Sequence, residues 1–494
     1  MTGSSFTRVS SGLSGLDEVL DGGFIRGRSY MVSGESGTGK TILGYNFLEE
    51  GVRRDESTLF VAFEETEADV RANATSLGID LADVTILDLS TDPDQFVEDS
   101  TYSVFTPSEV EGQSVAERIV EAVDAVDPDR VFVDPLNKLR HLTPDGYQFE
   151  QTAASLMHYL KRRDATVLFS AQETGSTAAA EDLQYLCDGA LSLRHTLDGR
   201  TIRVVKFRGS RFRGGRHAMD IRGSGIEVFP RLVPGDYATD GSTDRSQLST
   251  GVDRLDDLLG GGIERGSVTV VAGPSGVGKT TVGTSILTEA ATNGDHAAIY
   301  LFEELWDDFR SRSEALGFPV SSMVDEGTLT VEAVEPLERS SGEFAQQVRA
   351  EVEANHPAVV MIDGTSGYRL SLREDERVDL VRELHALCRY LKNVGVAVVL
   401  TEEVPSVTGE FRPTEGKISY LADNIVFLRY LELQGRIRKS AGVLKKRFSD
   451  FEPTLRELRI TEAGIEIGEP LQNLRGVLTG TPEWVGEDVE TSDE

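Results

Sequence analysis

The sequence predicts an α/β fold of two tandem phosphate-binding domains, each a mostly parallel sheet flanked by helices. Three observations carry this prediction. The loop pattern G-x-x-x-x-G-K-[ST] occurs twice, each copy after an apolar strand-like run (Tyr30 to Val32, Val268 to Val271). The flanking sequence repeats in the same frame, and apolar β-branched runs alternate with helical stretches throughout both halves. Strands that read as near-continuous apolar runs belong to a parallel sheet covered on both faces.

The first loop is Gly34, Glu35, Ser36, Gly37, Thr38, Gly39, Lys40 and Thr41. The second is Gly273, Pro274, Ser275, Gly276, Val277, Gly278, Lys279 and Thr280. In such a loop backbone N–H groups cradle phosphates, the Lys reaches the β/γ-phosphates and the Thr hydroxyl ligates Mg²⁺. Two copies in one frame predict two nucleotide sites, with ATP and Mg²⁺ as the cofactors.

Lys40 to Lys279 is an offset of 239, and the same offset links Gly12 to Gly251, Asp17 to Asp256, Glu64 to Glu303 and Arg208 to Arg447. A period this long marks a duplicated domain, since solenoid repeats are far shorter. The expected division is 1–238 for the first domain, 239–248 for a linker, 249–470 for the second domain and 471–494 for a tail. The linker region is rich in turn formers and lacks apolar periodicity. The end of the tail, Gly486 to Glu494, is acidic and reads as disordered.

A helix is expected after each loop, then a strand ending in paired acids, Leu59 to Glu65 and Ala298 to Glu304. Further helices (around 113–125 and 342–354) lead to runs closing on Asp, Val131 to Asp134 and Val359 to Asp363. The next strands are Thr166 to Ser170 and Ala397 to Thr401. The phosphate site then lies at the carboxyl ends of the strands.

That placement assigns roles. Asp134 and Asp363 end strands and suit Walker B carboxylates that hold Mg²⁺ directly or through water. Glu64, Glu65, Glu303 and Glu304 are expected on the strand beside the P-loop strand, where a carboxylate polarises an attacking water or hydroxyl. The bland reading is that these acids favour the N-terminus of the next helix. Their identical placement 24 residues after each loop Lys supports catalysis. Lys206 and Arg208, like Lys445 and Arg447, sit on strand-like segments, where alternation puts each pair on one face. Paired cations repel unless an anion lies between them. In a ring of such domains that anion is a neighbour's γ-phosphate, giving an arginine finger in trans. The alternative is a solvated charged face.

Composition narrows the class. The formal charge is −33, with 40 Arg and 10 Lys against 83 acids, which disfavours a polyanionic partner and points to a salt-rich, halophilic cytoplasm. Two cysteines and seven histidines show no metal-ligand spacing. The N-terminal segment has no apolar core of a signal peptide and no run reaches transmembrane length, so a cytoplasmic protein without membrane contact is expected.

With these residues in place, the chain resembles the KaiC family of double-domain RecA-like ATPases, from Ser10 to about Val485. The matching signatures are the opening Ser11-Gly12-Leu13 to Phe24, the first loop, Phe63-Glu-Glu-Thr66, Val205-Lys-Phe-Arg-Gly-Ser210 and Leu421 to Tyr430. The resemblance implies a homo-hexamer of two stacked rings with ATP at subunit interfaces. It also implies a slow ATPase in the first ring, serine/threonine autokinase activity in the second, and a regulatory protein partner of unknown identity. It carries Lys40, Thr41, Glu64, Glu65 and Asp134 to one site and Lys279, Thr280, Glu303, Glu304 and Asp363 to the other. Lys206, Arg208, Lys445 and Arg447 become the trans cations.

The acceptor block departs from the family. Ile418 to Ile425 aligns on it, so Ser419 takes the phosphoacceptor Ser position and Tyr420 replaces the Thr. The equivalent block in the first half, Leu183 to Ala190, has Gln184 opposite Ser419 and Tyr185 opposite Tyr420, which reads the tyrosines as packing residues. An ordered two-site phosphorylation cycle does not follow from this block. Two other readings compete with the signalling ATPase. One is a DNA-dependent RecA or RadA relative, the other a nucleotide-gated scaffold without kinase activity. The DNA reading requires basic loops after the fourth strand. Asp164 to Tyr185 holds no Lys or Arg, and Thr401 to Tyr420 sets Arg412 and Lys417 against four glutamates.

Overall fold

A computed structural model describes residues 6–90, 107–142, 146–172, 183–196, 199–237, 245–372, 377–404, 420–433, 435–472, 474–475 and 483–484. Ser419, residue 238, the linker residues 239–244 and the acidic end of the tail lie outside the described residues, as do residues 173–182 and 405–419 of the two segments weighed for DNA contact. The chain forms two compact units, Met1–Arg231 and Leu232–Glu494.

In the first unit the apolar runs become strands buried on both faces. Alternate residues of one strand enter opposite cores: Tyr30 and Val32 join one cluster with Phe60 and Phe132, while Met31 joins another with Val131 and Val133. The helix Lys40–Arg53 covers the first face through Leu43, Tyr45, Phe47 and Leu48. The helix Gly146–Lys161 covers the second through Phe149, Ala153, Met157 and Leu160.

The nine strands run in the order 225–229, 217–222, 199–207, 189–196, 29–34, 166–172, 130–134, 58–62, 85–88. The six from 189–196 to 85–88 are parallel, and the other three add an antiparallel meander at one edge. The second unit repeats this order across 464–470, 456–461, 436–446, 424–433, 268–273, 397–403, 359–363, 297–301 and 329–333. These two sheets are the predicted fold class.

The order corrects one expectation. The strand Thr58–Ala62, which leads into Glu64 and Glu65, is not beside the P-loop strand Ser29–Gly34. The strands Thr166–Gln172 and Arg130–Asp134 lie between them, and the second unit does the same. The crossover through the P-loop helix therefore skips two places, which later strands fill.

Each P-loop strand is fixed at its start by a buried or half-buried aspartate. Asp188 accepts from Ser29 N–H (3.2 Å) and the Lys161 ammonium (2.7 Å). Asp423 accepts from Val268 N–H (3.0 Å) and the Lys392 ammonium (2.5 Å). The segment just before the undescribed linker residues packs on the second unit. There Tyr237 meets the Tyr390 ring edge-on at 5.0 Å, and Asn393 Nδ2 donates to Pro234 O at 2.7 Å.

Candidate functional site

Each P-loop joins a buried strand to a long helix, so its N–H groups and the helix N-terminus face one place. Gly39 and Gly278, the residues that open the helices, have φ +101° and +116°. A Cβ there is strained, and at Gly278 it would meet Ile460 Cδ1 at 2.6 Å. Lys40 Nζ donates to Gly34 O (2.9 Å) and Glu35 O (2.6 Å), and Lys279 Nζ donates to Pro274 O (3.0 Å). The ammonium of each is thus held against its own loop.

The expected metal residues meet in both units. Thr41 Oγ1 donates to Asp134 Oδ2 at 2.6 Å, and Ser170 Oγ donates to the other oxygen, Oδ1. In the second unit Thr280 Oγ1 lies 2.9 Å from Asp363 Oδ2, and Thr401 Oγ1 donates to Oδ1 at 2.7 Å. Burial pushes the carboxyls of Asp134 and Asp363 up, and the hydroxyl hydrogen bonds only partly oppose it. A desolvated carboxylate beside a hydroxyl is the hard oxygen set that Mg²⁺ takes, and a bound cation would favour its charged form. Ser170 and Thr401 were not assigned a role from sequence; the signal was a hydroxyl residue at the same strand position in both repeats.

A cavity of about 350 Å³ opens at this end of the first sheet. It is lined by Ser36, Gly37, Gly39, Lys40 and Thr41 of the loop, by Glu64, Glu65 and Asp134, and by Gln172. Its size falls within the range of small-ligand sites. The paired glutamates therefore face the phosphate loop although their strand is three places away.

Within each pair the partners differ. Glu65 accepts from Tyr45 Oη (3.2 Å) and Asn73 Nδ2 (3.4 Å), whereas its counterpart Glu304 takes both outer nitrogens of Arg312, at 2.8 and 2.7 Å. Glu64 pairs with Lys138 at 3.1 Å. Glu303 instead accepts the Gly367 N–H, and its carboxyl is pushed up by burial and by the charge of Asp363. Burial pushes the Lys279 ammonium down, against the opposing charges of Glu403, Glu303, Asp363 and Glu402. Lys138, Arg312, Glu402 and Glu403 carried no expectation, because their partners come from other elements.

The four proposed trans cations lie far from these loops within their own unit. Phe207 is level with Gly189, which is level with Tyr30, so Arg208 sits beside the start of the P-loop strand. Gly34 is five residues further along that strand from Ser29, roughly 16 Å at the usual strand rise. Lys446 pairs with Asn424, which pairs with Thr269, so Arg447 occupies the same place in the second unit. The Lys206 ammonium donates to Gln184 O (2.6 Å) and that of Lys445 to Ala422 O (2.6 Å); burial pushes both down. The anion beside Arg447 is in its own chain: its Nη1 donates to Asp423 at 3.0 Å. Tyr185 and Tyr420 are 76% and 58% exposed, so the packing role expected for them is not filled within one unit.

Among the described residues no three His, Cys, Asp or Glu side chains cluster as a separate metal site, and no helix is long and apolar enough to cross a membrane. Comparison with known proteins agrees with this duplicated site. The chain is 28% identical to the circadian clock oscillator protein KaiC of Acaryochloris marina, covering 98% of this chain and 92% of that protein. It is 26% identical to the protein of that name from Parathermosynechococcus lividus (97% and 89%) and 27% to that of Synechococcus elongatus (97% and 92%). The sequence model of the family described as "ATPase: KaiC" matches residues 9–233 and again residues 248–472. Two loops, two Thr–Asp pairs and two matches thus place the chain in one family: it belongs to the KaiC ATPases.

Proposed function

We propose that this ATPase binds ATP with Mg²⁺ at two sites per chain and hydrolyses it at the interfaces of a homo-hexameric ring. We further propose that the second site phosphorylates Ser419, and that the nucleotide and phosphate state serves signalling or regulation through a partner protein in the cytoplasm. The observation that carries the two-site reading is the repeated pairing of Thr41 with Asp134 and of Thr280 with Asp363, each beside a P-loop lysine. Bound Mg²⁺ would supply charge neutralisation at the β/γ-phosphates. Lys40 and Lys279 would exchange their loop carbonyls for phosphate oxygens. Glu64 and Glu303 are the bases of this reading, since Glu304 is clamped by Arg312 and Glu65 is tied to Tyr45 and Asn73.

The placement of Lys206, Arg208, Lys445 and Arg447 supports the ring. An arginine side chain does not cover the length of a strand, so these cations suit a neighbouring copy's phosphates better than their own.

The test is incubation with labelled ATP and Mg²⁺, with and without single-stranded DNA, following phosphate release and label on the protein. Lys40→Ala should remove hydrolysis at the first site and loosen the ring, while Lys279→Ala should keep most steady turnover and lose self-labelling. Complete loss of turnover in either single variant would overturn the two-site assignment. Stimulation by DNA would favour the recombinase-like alternative.

A further inference from the structure

The two sites differ at two positions beside the glutamate read as the base. In the second unit the segment after the Walker B strand reads Gly364-Thr365-Ser366-Gly367 and opens the helix Thr365–Ser371; in the first it reads Pro135-Leu136-Asn137-Lys138 and opens the 3-10 helix Leu136–Leu142. Glu303 lies over Gly364: a Cβ there would fall 2.6 Å from Glu303 Cγ and 2.7 Å from Cδ. Gly364 also has φ +92°, which proline cannot adopt. Glu303 is thereby drawn inward, accepting the Gly367 N–H and sensing both Asp363 and Lys279.

Pro135 forbids that arrangement in the first unit. Glu64 lines the cavity but pairs with Lys138, which is not among the lining residues, at 3.1 Å. The ion pair therefore ties the carboxylate to a side chain that is itself about half exposed. Both groups are about half exposed, at 43% and 49%, so the tie is weak enough to break in each turnover.

We propose that Lys138 is a positioning residue that restrains Glu64 at the first site and slows hydrolysis there, a restraint with no counterpart at Gly367. The inference rests on the reading of Glu64 as the base of an ATP site. The ammonium holds Oε1 of Glu64, so any swing of the carboxylate toward water at the γ-phosphate works against the ion pair, which adds that cost to the barrier. The proton removed from water passes to Glu64, and the γ-phosphoryl group leaves ADP for the oxygen of that water.

The experiment uses the full-length chain carrying Lys279→Ala, so that phosphate release reports the first site. Lys138→Met, which keeps the aliphatic stem, and Lys138→Ala should each raise kcat by roughly two- to five-fold, the range that an exposed ion pair can supply. KM for ATP and binding of a fluorescent ATP analogue should stay within two-fold, and Lys138→Arg should keep the slow rate. Unchanged or lower kcat in folded Lys138→Met, checked by its thermal unfolding, overturns the restraint while leaving the ATP site standing. A rise in Lys138→Arg equal to that in Lys138→Met also overturns it. Absence of hydrolysis in the chain with Lys138 intact, despite analogue binding, removes the reading of the first site and the restraint with it.

Discussion

Arg312 grips Glu304 with two parallel hydrogen bonds, Nη1 to Oε2 at 2.8 Å and Nη2 to Oε1 at 2.7 Å. Such a fork fixes the carboxylate plane. The neighbouring Glu303 is left facing Asp363 and Lys279, with its proton affinity raised by burial and by Asp363. Position along the chain does not separate the two acids, but their partners do.

The first prediction separates them by rate. In a Lys40→Ala background, Glu303→Gln should lower second-site turnover by roughly 10²- to 10⁴-fold, the usual worth of a general base. Glu304→Gln should cost under ten-fold and leave ATP-analogue binding intact. The raised proton affinity of Glu303 has a sign: its base form is lost at a higher pH than that of an ordinary glutamate. The acid limb of the second-site rate profile should therefore sit above the usual carboxylate range. Equal losses in the two variants would sink the distinction.

The second prediction concerns stability. Burial raises the carboxyls of Asp134 and Asp363 above their unfolded values, so the folded chain holds those protons more tightly. Each group then costs stability as pH rises from the unfolded value through the folded one, and the full cost is present above the latter. Asp363→Asn removes that cost at pH 7.5. The nucleotide-free variant should melt no lower than the unsubstituted chain, yet its Tm should rise less with Mg-ATP than that of the unsubstituted chain, because only the first site still holds the metal. A clear fall in the nucleotide-free Tm would show that the hydrogen bonds from Thr280 and Thr401 outweigh desolvation.

Much of this site was legible in the sequence because its parts are local. The P-loops, the strand-ending Asp134 and Asp363 and the Glu pairs each follow from a few adjacent residues and a strand-end position. What escaped depends on which elements meet. The strand Thr58–Ala62 is set three places from the P-loop strand because later strands insert between them, an order that sequence adjacency does not specify. The ion pair of Lys138 with Glu64 joins a 3-10 helix to a bend after another strand, and that of Arg447 with Asp423 joins two strand ends. Tyr185 and Tyr420 show a second limit. Repetition of a large aromatic residue suggested a packing role, but both side chains are exposed within their own unit.

The third prediction concerns the cations. Arg208→Ala and Arg447→Ala should each cost about 3 kcal/mol or more of barrier at the site they serve, as trans fingers do. Arg447 also closes on the buried Asp423, so part of its loss should appear as a lower Tm, whereas Arg208, exposed in its unit, should affect rate alone. Mixing a finger variant with a P-loop lysine variant of the same half should restore part of the activity, because mixed rings regenerate intact interfaces. No recovery in rings shown to exchange subunits would mean that the arginines act within their own chain or only pack.

The last prediction concerns Ser419. It stands before Tyr420 in the second half, where the first half has Gln184, a side chain with no hydroxyl to phosphorylate. The exposure of Tyr420 means that burial does not protect its phenol, so selectivity between the two hydroxyls rests on reach: a phenol oxygen lies farther from the backbone than a serine Oγ. In the proposed ring a phosphoserine would bring up to about two negative charges to a subunit interface lined by a neighbouring copy's Glu303 and Glu304, and that repulsion should change ring stability or partner affinity. Phosphopeptide mapping after incubation with Mg-ATP should place the label on Ser419. The label should vanish in Ser419→Ala and in Glu303→Gln, and persist in Lys40→Ala as far as rings survive. Stoichiometric label on Tyr420 would reassign the acceptor. No label on any residue of a hydrolytically active ring would leave a two-site ATPase without a kinase.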